Sequence, residues 1–250
     1  FLREPARGAS EDEIMGTEAI YAGKFDWQSL KSTLRIRTAL LTYLLDGCQG
    51  ATWWAFAFWA PAYLLRMGIA HHSDQAALAL LPAILGFVIG TLLGGLMIDR
   101  LRKLTQLSTI WVALVSMSGA LVMSVVVFAL RDLTAVLVAG FFLGLFGYMI
   151  MPVINVLLFD VVPPETRASA LAADGIVMGV FSILNSFAIG AISHYLGIIQ
   201  GLPQGNLLAG FQGTTTVLLA GGVVISLVLL RVAPADMAAL RHYVAERAIK

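Results

Sequence analysis

Charge is what this sequence has least of. Asp, Glu, Lys and Arg make up 12% of its 250 residues, against 59% hydrophobic. Water-soluble domains carry roughly 25% charged residues, so a soluble globular protein is excluded. The formal net charge of +1 leaves no basic footprint for nucleic acid. A single cysteine, Cys48, lies in an apolar run and excludes an internal disulfide. No GxxxxGK[ST] phosphate loop, no GxSxG elbow and no metal-spaced Cys/His set occurs, so neither ATP nor ester hydrolysis is indicated and no cofactor is expected. The adjacent His71 and His72 have no third ligand nearby in sequence and read as a solvated loop pair. No signal peptide is expected. The chain opens at Phe1, and FLREPARG reads as the last turn of a membrane helix stopped by Pro5 and Gly8. The expectation is therefore a part of a longer protein.

What the chain has in abundance is apolar length. Segments at about 38–65, 76–98, 106–130, 133–161, 165–196 and 206–231 each approach or exceed the roughly 20 residues that span a bilayer. Because a membrane forbids unpaired sheet edges, they predict an all-α membrane protein with a bundle of about six transmembrane helices. The domain reading is residues 1–8 as a helix end, 9–37 as a cytoplasmic linker, 38–231 as the transmembrane domain and 232–250 as a cytoplasmic tail. Within the linker Asp26 can cap a short helix with Trp27, Leu30 and Leu34 on one face and Lys31 and Arg35 on the other. It reads as lying in the membrane interface, or else as an ordinary solvated helix. In the tail Met237, Leu240 and Val244 share a side, as on a surface helix.

Fourteen of the 16 Lys and Arg fall before residue 38, in the second-to-third and fourth-to-fifth connections, or after residue 230; Arg66 and Arg131 are the two on the other side. By the positive-inside rule both ends of the chain are cytoplasmic. The expected location is the plasma membrane, the inner membrane in a bacterium, with the lipid bilayer as its surroundings.

The stretch Gly86–Lys103, GFVIGTLLGGLMIDRLRK, carries glycines at 86, 90 and 94 and ends in a charge cluster. Small residues at every fourth position let a second helix approach backbone to backbone. The pattern Gly95-x-x-x-Asp99-Arg100-x-Arg102-Lys103 resembles the loop between the second and third helices of each half of the major facilitator superfamily. That resemblance implies a C-terminal half, helices seven to twelve, whose partner is an N-terminal six-helix half. Three further stretches are similar to Spinster-type facilitators: Leu2-Arg3-Glu4-Pro5-Ala6-Arg7-Gly8, Trp59-Ala60-Pro61-Ala62-Tyr63-Leu64-Leu65-Arg66, and Val162-Pro163-Pro164-Glu165-Thr166-Arg167-Ala168-Ser169-Ala170. Ser182 and Asn185-Ser186 stand about where animal members carry an acid and a Ser-Pro step. The resemblance implies a secondary active, proton-coupled, alternating-access transporter of a small organic or amphiphilic solute, such as a lysolipid. Its rivals are a drug or organic-anion carrier of another facilitator family, and a channel. A channel needs rings of like groups along a pore, and this sequence offers scattered single polar residues.

Polar groups inside a span are costly and mark sites by default. Asp46, Gln49 and Trp53 share one face of the first span. Asp46 is either a cavity acid that binds a proton or cationic headgroup, or an acid paired with Arg35 or Arg37 or wetted by cavity water. Tyr148, Pro152, Asn155 and Phe159 form a second stripe; Tyr148 and Asn155 either line the cavity or bond a neighbouring helix. Asp174, Met178, Ser182 and Asn185 form a third. Charge is disfavoured out of water, so Asp46 and Asp174 are both proton-coupling candidates; a structural contact is the other reading of Asp174. Gly95, Asp99, Arg100, Arg102, Asp160 and Arg167 form a candidate cytoplasmic gate. Asp99 can accept from amides at a helix start, and Arg100 or Arg102 can reach Asp160, locking that side until it opens. The alternative is a solvated stop-transfer cluster.

Overall fold

The computed structural model describes residues 31, 33–203 and 205–248. The helix end at residues 2–8, the linker at 9–24 and the Asp26-capped turn lie outside the described residues. Among the described residues the structure has α-helices α1 (Arg37–Arg66), α2 (Ser73–Leu78), α3 (Leu81–Arg102), α4 (Ser108–Ala129), α5 (Leu133–Tyr148), α6 (Met151–Val161), α7 (Arg167–Gln200) and α8 (Leu207–Ala248), with a 3-10 turn at Pro164–Thr166. No strand is present among them. An all-helical bundle satisfies its backbone groups within each segment, as a bilayer demands.

By length and composition, five helical stretches can cross a membrane: Ser73–Arg102, Ser108–Ala129, Leu133–Val161, Arg167–Gln200 and Leu207–Tyr243. The 30-residue α1 is not among the five. Its apolar sequence is interrupted by Thr38, Thr42, Asp46, Gln49 and Thr52, all buried. The reason is its place in the fold. It packs on α7, α8 and α6, so these positions meet other helices and a polar residue there finds a protein partner.

The Gly86, Gly90 and Gly94 face packs on α5, and α3–α5 is the most extensive helix pair. A side chain begun at Gly86 would overlap the carbonyl of Phe141, at Gly90 that of Leu145, and at Gly94 that of Met149. From the other side Gly144 receives the Ala83 carbonyl. The two backbones touch, as the four-residue glycine spacing predicts.

The span expected at 133–161 is one crossing stretch, Leu133–Val161, with a local break inside it: α5 closes at Tyr148 and α6 opens at Met151, with Pro152 in its first turn, where a missing N–H costs nothing. One expectation is corrected in detail. The tail is not a separate surface helix. Helix α8 runs on through Pro234 to Ala248, with Ala233 and Met237 buried. Asp236 on this extension accepts from the Thr38 N–H at 2.9 Å and the Thr38 hydroxyl at 2.6 Å. A carboxylate set against the first turn of α1 satisfies one of its free amides and meets the positive end of its dipole, an arrangement that contributes about 1 kcal/mol.

The bundle thus has two distinct ends. Thr38, Arg102, Gln106, Asp160, Asp236 and Arg241 meet at one. Tyr63, Phe128 and Phe211 pack ring against ring at the other, with centroids 5.0–6.1 Å apart.

Candidate functional site

Two of the three polar stripes face each other. The α1 residues Asp46 and Gln49 and the α7 residues Asp174 and Asn185 are all buried, along the packed α1–α7 interface. Small residues make this closeness possible: Phe181 of α7 covers Gly47 of α1, and Met178 covers Gly50. The carboxyl groups of Asp46 and Asp174 adjoin, and Asp174 Oδ1 is buried with no hydrogen-bond partner among the described residues. The Tyr148 hydroxyl lies within electrostatic reach of Asp46, and that of Tyr43 within reach of Asp174. No Arg, Lys or His of the described residues acts on either acid. In particular, neither Arg35 nor Arg37 pairs with Asp46. Two adjoining carboxylates out of water repel strongly, and a single proton between them, or a bound cation, removes that repulsion.

The amides around the pair are structural ties. Gln49 Nε2 donates to the Gly147 carbonyl at 2.5 Å and Asn185 Nδ2 to the Ala51 carbonyl at 3.0 Å. Ser182 Oγ donates within its own helix to Met178, and Asn155 Nδ2 to Met151. Asn155 is exposed. Of the expected cavity residues, Gln49 and Asn185 thus tie neighbouring helices together, while Asn155 and Ser182 hold only local bonds.

Beside Asp46, further along α1, sits an aromatic cluster. Trp53 stacks on Phe87 of α3 at 6.1 Å and meets Tyr148 of α5 edge-on at 4.8 Å; Phe87 and Tyr148 are also edge to face. Aromatic pairs of this kind add to the apolar area they bury. Phe87 is not legible from sequence as a member, because it sits in an uninterrupted apolar run and only the α3–α5 glycine contact brings it beside Tyr148.

At the Arg102 end some of the residues expected at a gate are in contact. Arg102 Nη2 binds Asp160 Oδ1 at 3.1 Å and Oδ2 at 3.4 Å, linking α3 to α6. Arg167 Nη2 donates to the Phe159 carbonyl at 3.4 Å, with its guanidinium 5.2 Å from the Phe159 ring. Asp99 and Arg100 are exposed and form no hydrogen bond or ion pair among the described residues. A side chain at Gly95 would meet nothing. Of the expected gate contacts, the structure pairs Asp160 with Arg102 rather than with Arg100, and shows no Asp99 helix cap among the described residues.

The Major Facilitator Superfamily profile matches residues 1–173 of the chain. The chain belongs to this family. No curated protein matches it. Membership makes the protein an integral membrane protein and a secondary transporter by class. Because the Arg102–Asp160 ion pair is more than half exposed at Arg102, with side-chain accessibility of 55% against 26% at Asp160, it adds little to stability. Asp160→Asn in the full-length facilitator should leave the melting temperature in detergent nearly unchanged while lowering transport several-fold. Wild-type transport in that variant would reduce the pair to a solvated surface contact.

Proposed function

We propose that this chain is the C-terminal six-helix half of a proton-coupled facilitator that moves a small amphiphilic solute by alternating access. The observation that carries the reading is the Asp46–Asp174 pair, two buried acids side by side with no basic partner among the described residues. A group placed at such cost in a membrane protein has a functional explanation by default. A proton held between the acids neutralises them when substrate is absent; a cationic or hydrogen-bonding headgroup does the same when it is bound. The aromatic cluster of Trp53, Phe87 and Tyr148 beside them offers apolar and π surface to the rest of an amphiphile.

The sixth span in this reading is α1, whose 30 residues extend about 45 Å at 1.5 Å per residue, more than a hydrocarbon core requires. Both ends of the chain are then cytoplasmic, in keeping with the bias of Lys and Arg. The exposed apolar residues Trp54 and Phe58 of α1 and Ile183 and Phe187 of α7 offer a surface for the N-terminal half. A Spinster-type subfamily is supported by the Trp59–Arg66 and Val162–Ala170 stretches and favours a lysolipid over other solutes.

The test is flux. Proteoliposomes of the full-length protein, with an imposed pH gradient and a dye-reported lumen, are challenged with lysophospholipids and with cationic amphiphiles. Saturable uptake that dissipates the gradient supports the reading. Uptake that does not saturate points to a channel, and saturable uptake indifferent to the gradient removes the proton.

A further inference from the structure

The break between α5 and α6 lies against the polar face of α1, and side chains of two other helices hold its backbone. Pro152 has no N–H, so a continuous helix cannot close onto the Tyr148 carbonyl four residues earlier. Ser116 Oγ of α4 donates to the Phe146 carbonyl at 2.6 Å, and Gln49 Nε2 of α1 donates to the Gly147 carbonyl at 2.5 Å. Both donors are buried. A bilayer tolerates a broken helix where neighbouring helices supply such partners. The two arms of the break are held differently. The carbonyls of Phe141, Leu145 and Met149 lie against Gly86, Gly90 and Gly94 of α3, so backbone contact fixes α5 up to the break itself. Beyond it, α6 rests on the buried apolar side chains Val153, Ile154, Leu157 and Leu158, and on the Arg102–Asp160 ion pair near its far end. Side chains packed in this way permit small sliding of one helix on another. Gln49 lies one turn from both Asp46 and Trp53 on α1, and Trp53 meets Tyr148 edge-on at 4.8 Å. One face of α1 therefore holds two consecutive residues of the break, Gly147 and Tyr148.

We propose that the α5–α6 break is a hinge on which α6 turns against α5 as the transporter changes state, and that Gln49 is the positioning residue that sets its angle. The Gly147 carbonyl sits where water is scarce, so losing the Gln49 amide leaves it short of a partner. The angle that presents this carbonyl to α1 then loses its advantage. Pro152 keeps the hinge open by withholding the N–H that would rebuild a helical turn across it. A shift of α1 at the turns of Asp46, Gln49 and Trp53 reaches α6 through Gly147 and Tyr148. At the other end of α6 it reaches Asp160, whose ion pair with the half-exposed Arg102 parts at little cost. The hinge requires neither a proton on the acids nor a particular solute, so it stands apart from the proton-coupled reading.

The experiment places spin labels at Val138 of α5 and Phe159 of α6, both exposed, in the full-length protein with its native cysteines replaced. Double electron–electron resonance in lipid nanodiscs then reads the distance across the break, with no substrate needed. Without the substitutions under test, the protein should show two distances. Pro152→Ala supplies the missing N–H and should collapse them to one, near the roughly 31 Å of a continuous helix. Gln49→Met keeps the length of the side chain and removes its donor. It should change the ratio of the two populations by roughly threefold or more, the effect of one lost hydrogen bond, at a melting temperature close to that of the parent. A purely structural tie would instead lower the melting temperature and leave the distances alone. If Gln49→Met does not fold, Pro152→Ala alone decides the hinge. A distribution that Pro152→Ala leaves unaltered overturns the hinge. A distribution that answers to Pro152→Ala but not to Gln49→Met overturns the role of Gln49.

Discussion

A Gly90→Leu variant is expected to lose most of its folded protein. The first atom of any side chain there would overlap the backbone carbonyl of Leu145, and Gly86 and Gly94 place the Phe141 and Met149 carbonyls equally close one turn away on either side. These neighbours are backbone, not flexible side-chain tips, so α3 and α5 must separate to admit it. Overpacking in a close-packed site costs about 1–3 kcal/mol, and prising apart the most extensive helix pair of the bundle also forfeits van der Waals packing all along it. Gly95→Leu is the control, one residue past Gly94 but with open space around it. The yield of monodisperse full-length protein and its melting temperature should both fall sharply for Gly90→Leu and remain near wild type for Gly95→Leu. Equal behaviour of the two variants would show that the glycine face does not carry the packing.

That face is legible in the sequence because its signal is local. Glycines four residues apart lie on one side of any helix, and only a backbone neighbour needs such a side. The charge cluster that ends α3 is legible for the same reason. The depth of the acids is legible too: Asp46 and Asp174 lie similar distances into their spans. Their mutual contact is not, since helical spacing gives a residue's face but not which neighbour that face meets. Phe181 over Gly47 and Met178 over Gly50 settle it, and nothing near Gly47 in sequence announces a phenylalanine 134 positions later. The Asp236 cap on Thr38, at a separation of 198 residues, is hidden in the same way, so the tail reads as a detached helix. The Arg102–Asp160 contact falls between these cases. Opposite charges at the ends of α3 and α6 are visible in the sequence, but whether Arg100 or Arg102 points towards Asp160 depends on helical phase near a helix end, where two residues differ by more than half a turn.

Asp46→Asn is expected to abolish proton coupling while sparing the fold. The Asn side chain keeps the shape and can donate to Asp174 Oδ1, which is buried without a hydrogen-bond partner among the described residues, so the variant should melt no lower than wild type. What it removes is one of two adjoining charges. On the proposed reading, loading and releasing a proton changes the charge of the pair, and a headgroup that neutralises the same pair competes with that proton, so that each ligand weakens the other by an equal factor. The titratable groups facing the pair are Tyr148 beside Asp46 and Tyr43 beside Asp174, and no described base is at hand to take over the exchange. Affinity for an amphiphile identified in the flux screen should therefore vary with pH in the wild type and become nearly flat in Asp46→Asn, with at least about a fivefold drop in the pH-driven component of uptake, corresponding to roughly 1 kcal/mol of linkage. Asp174→Asn should behave alike, because either change dissolves the pair. A wild-type pH profile in both variants would make the acids structural and place the proton elsewhere in the transporter. A flat profile in one variant alone would assign the proton to that residue rather than to the pair.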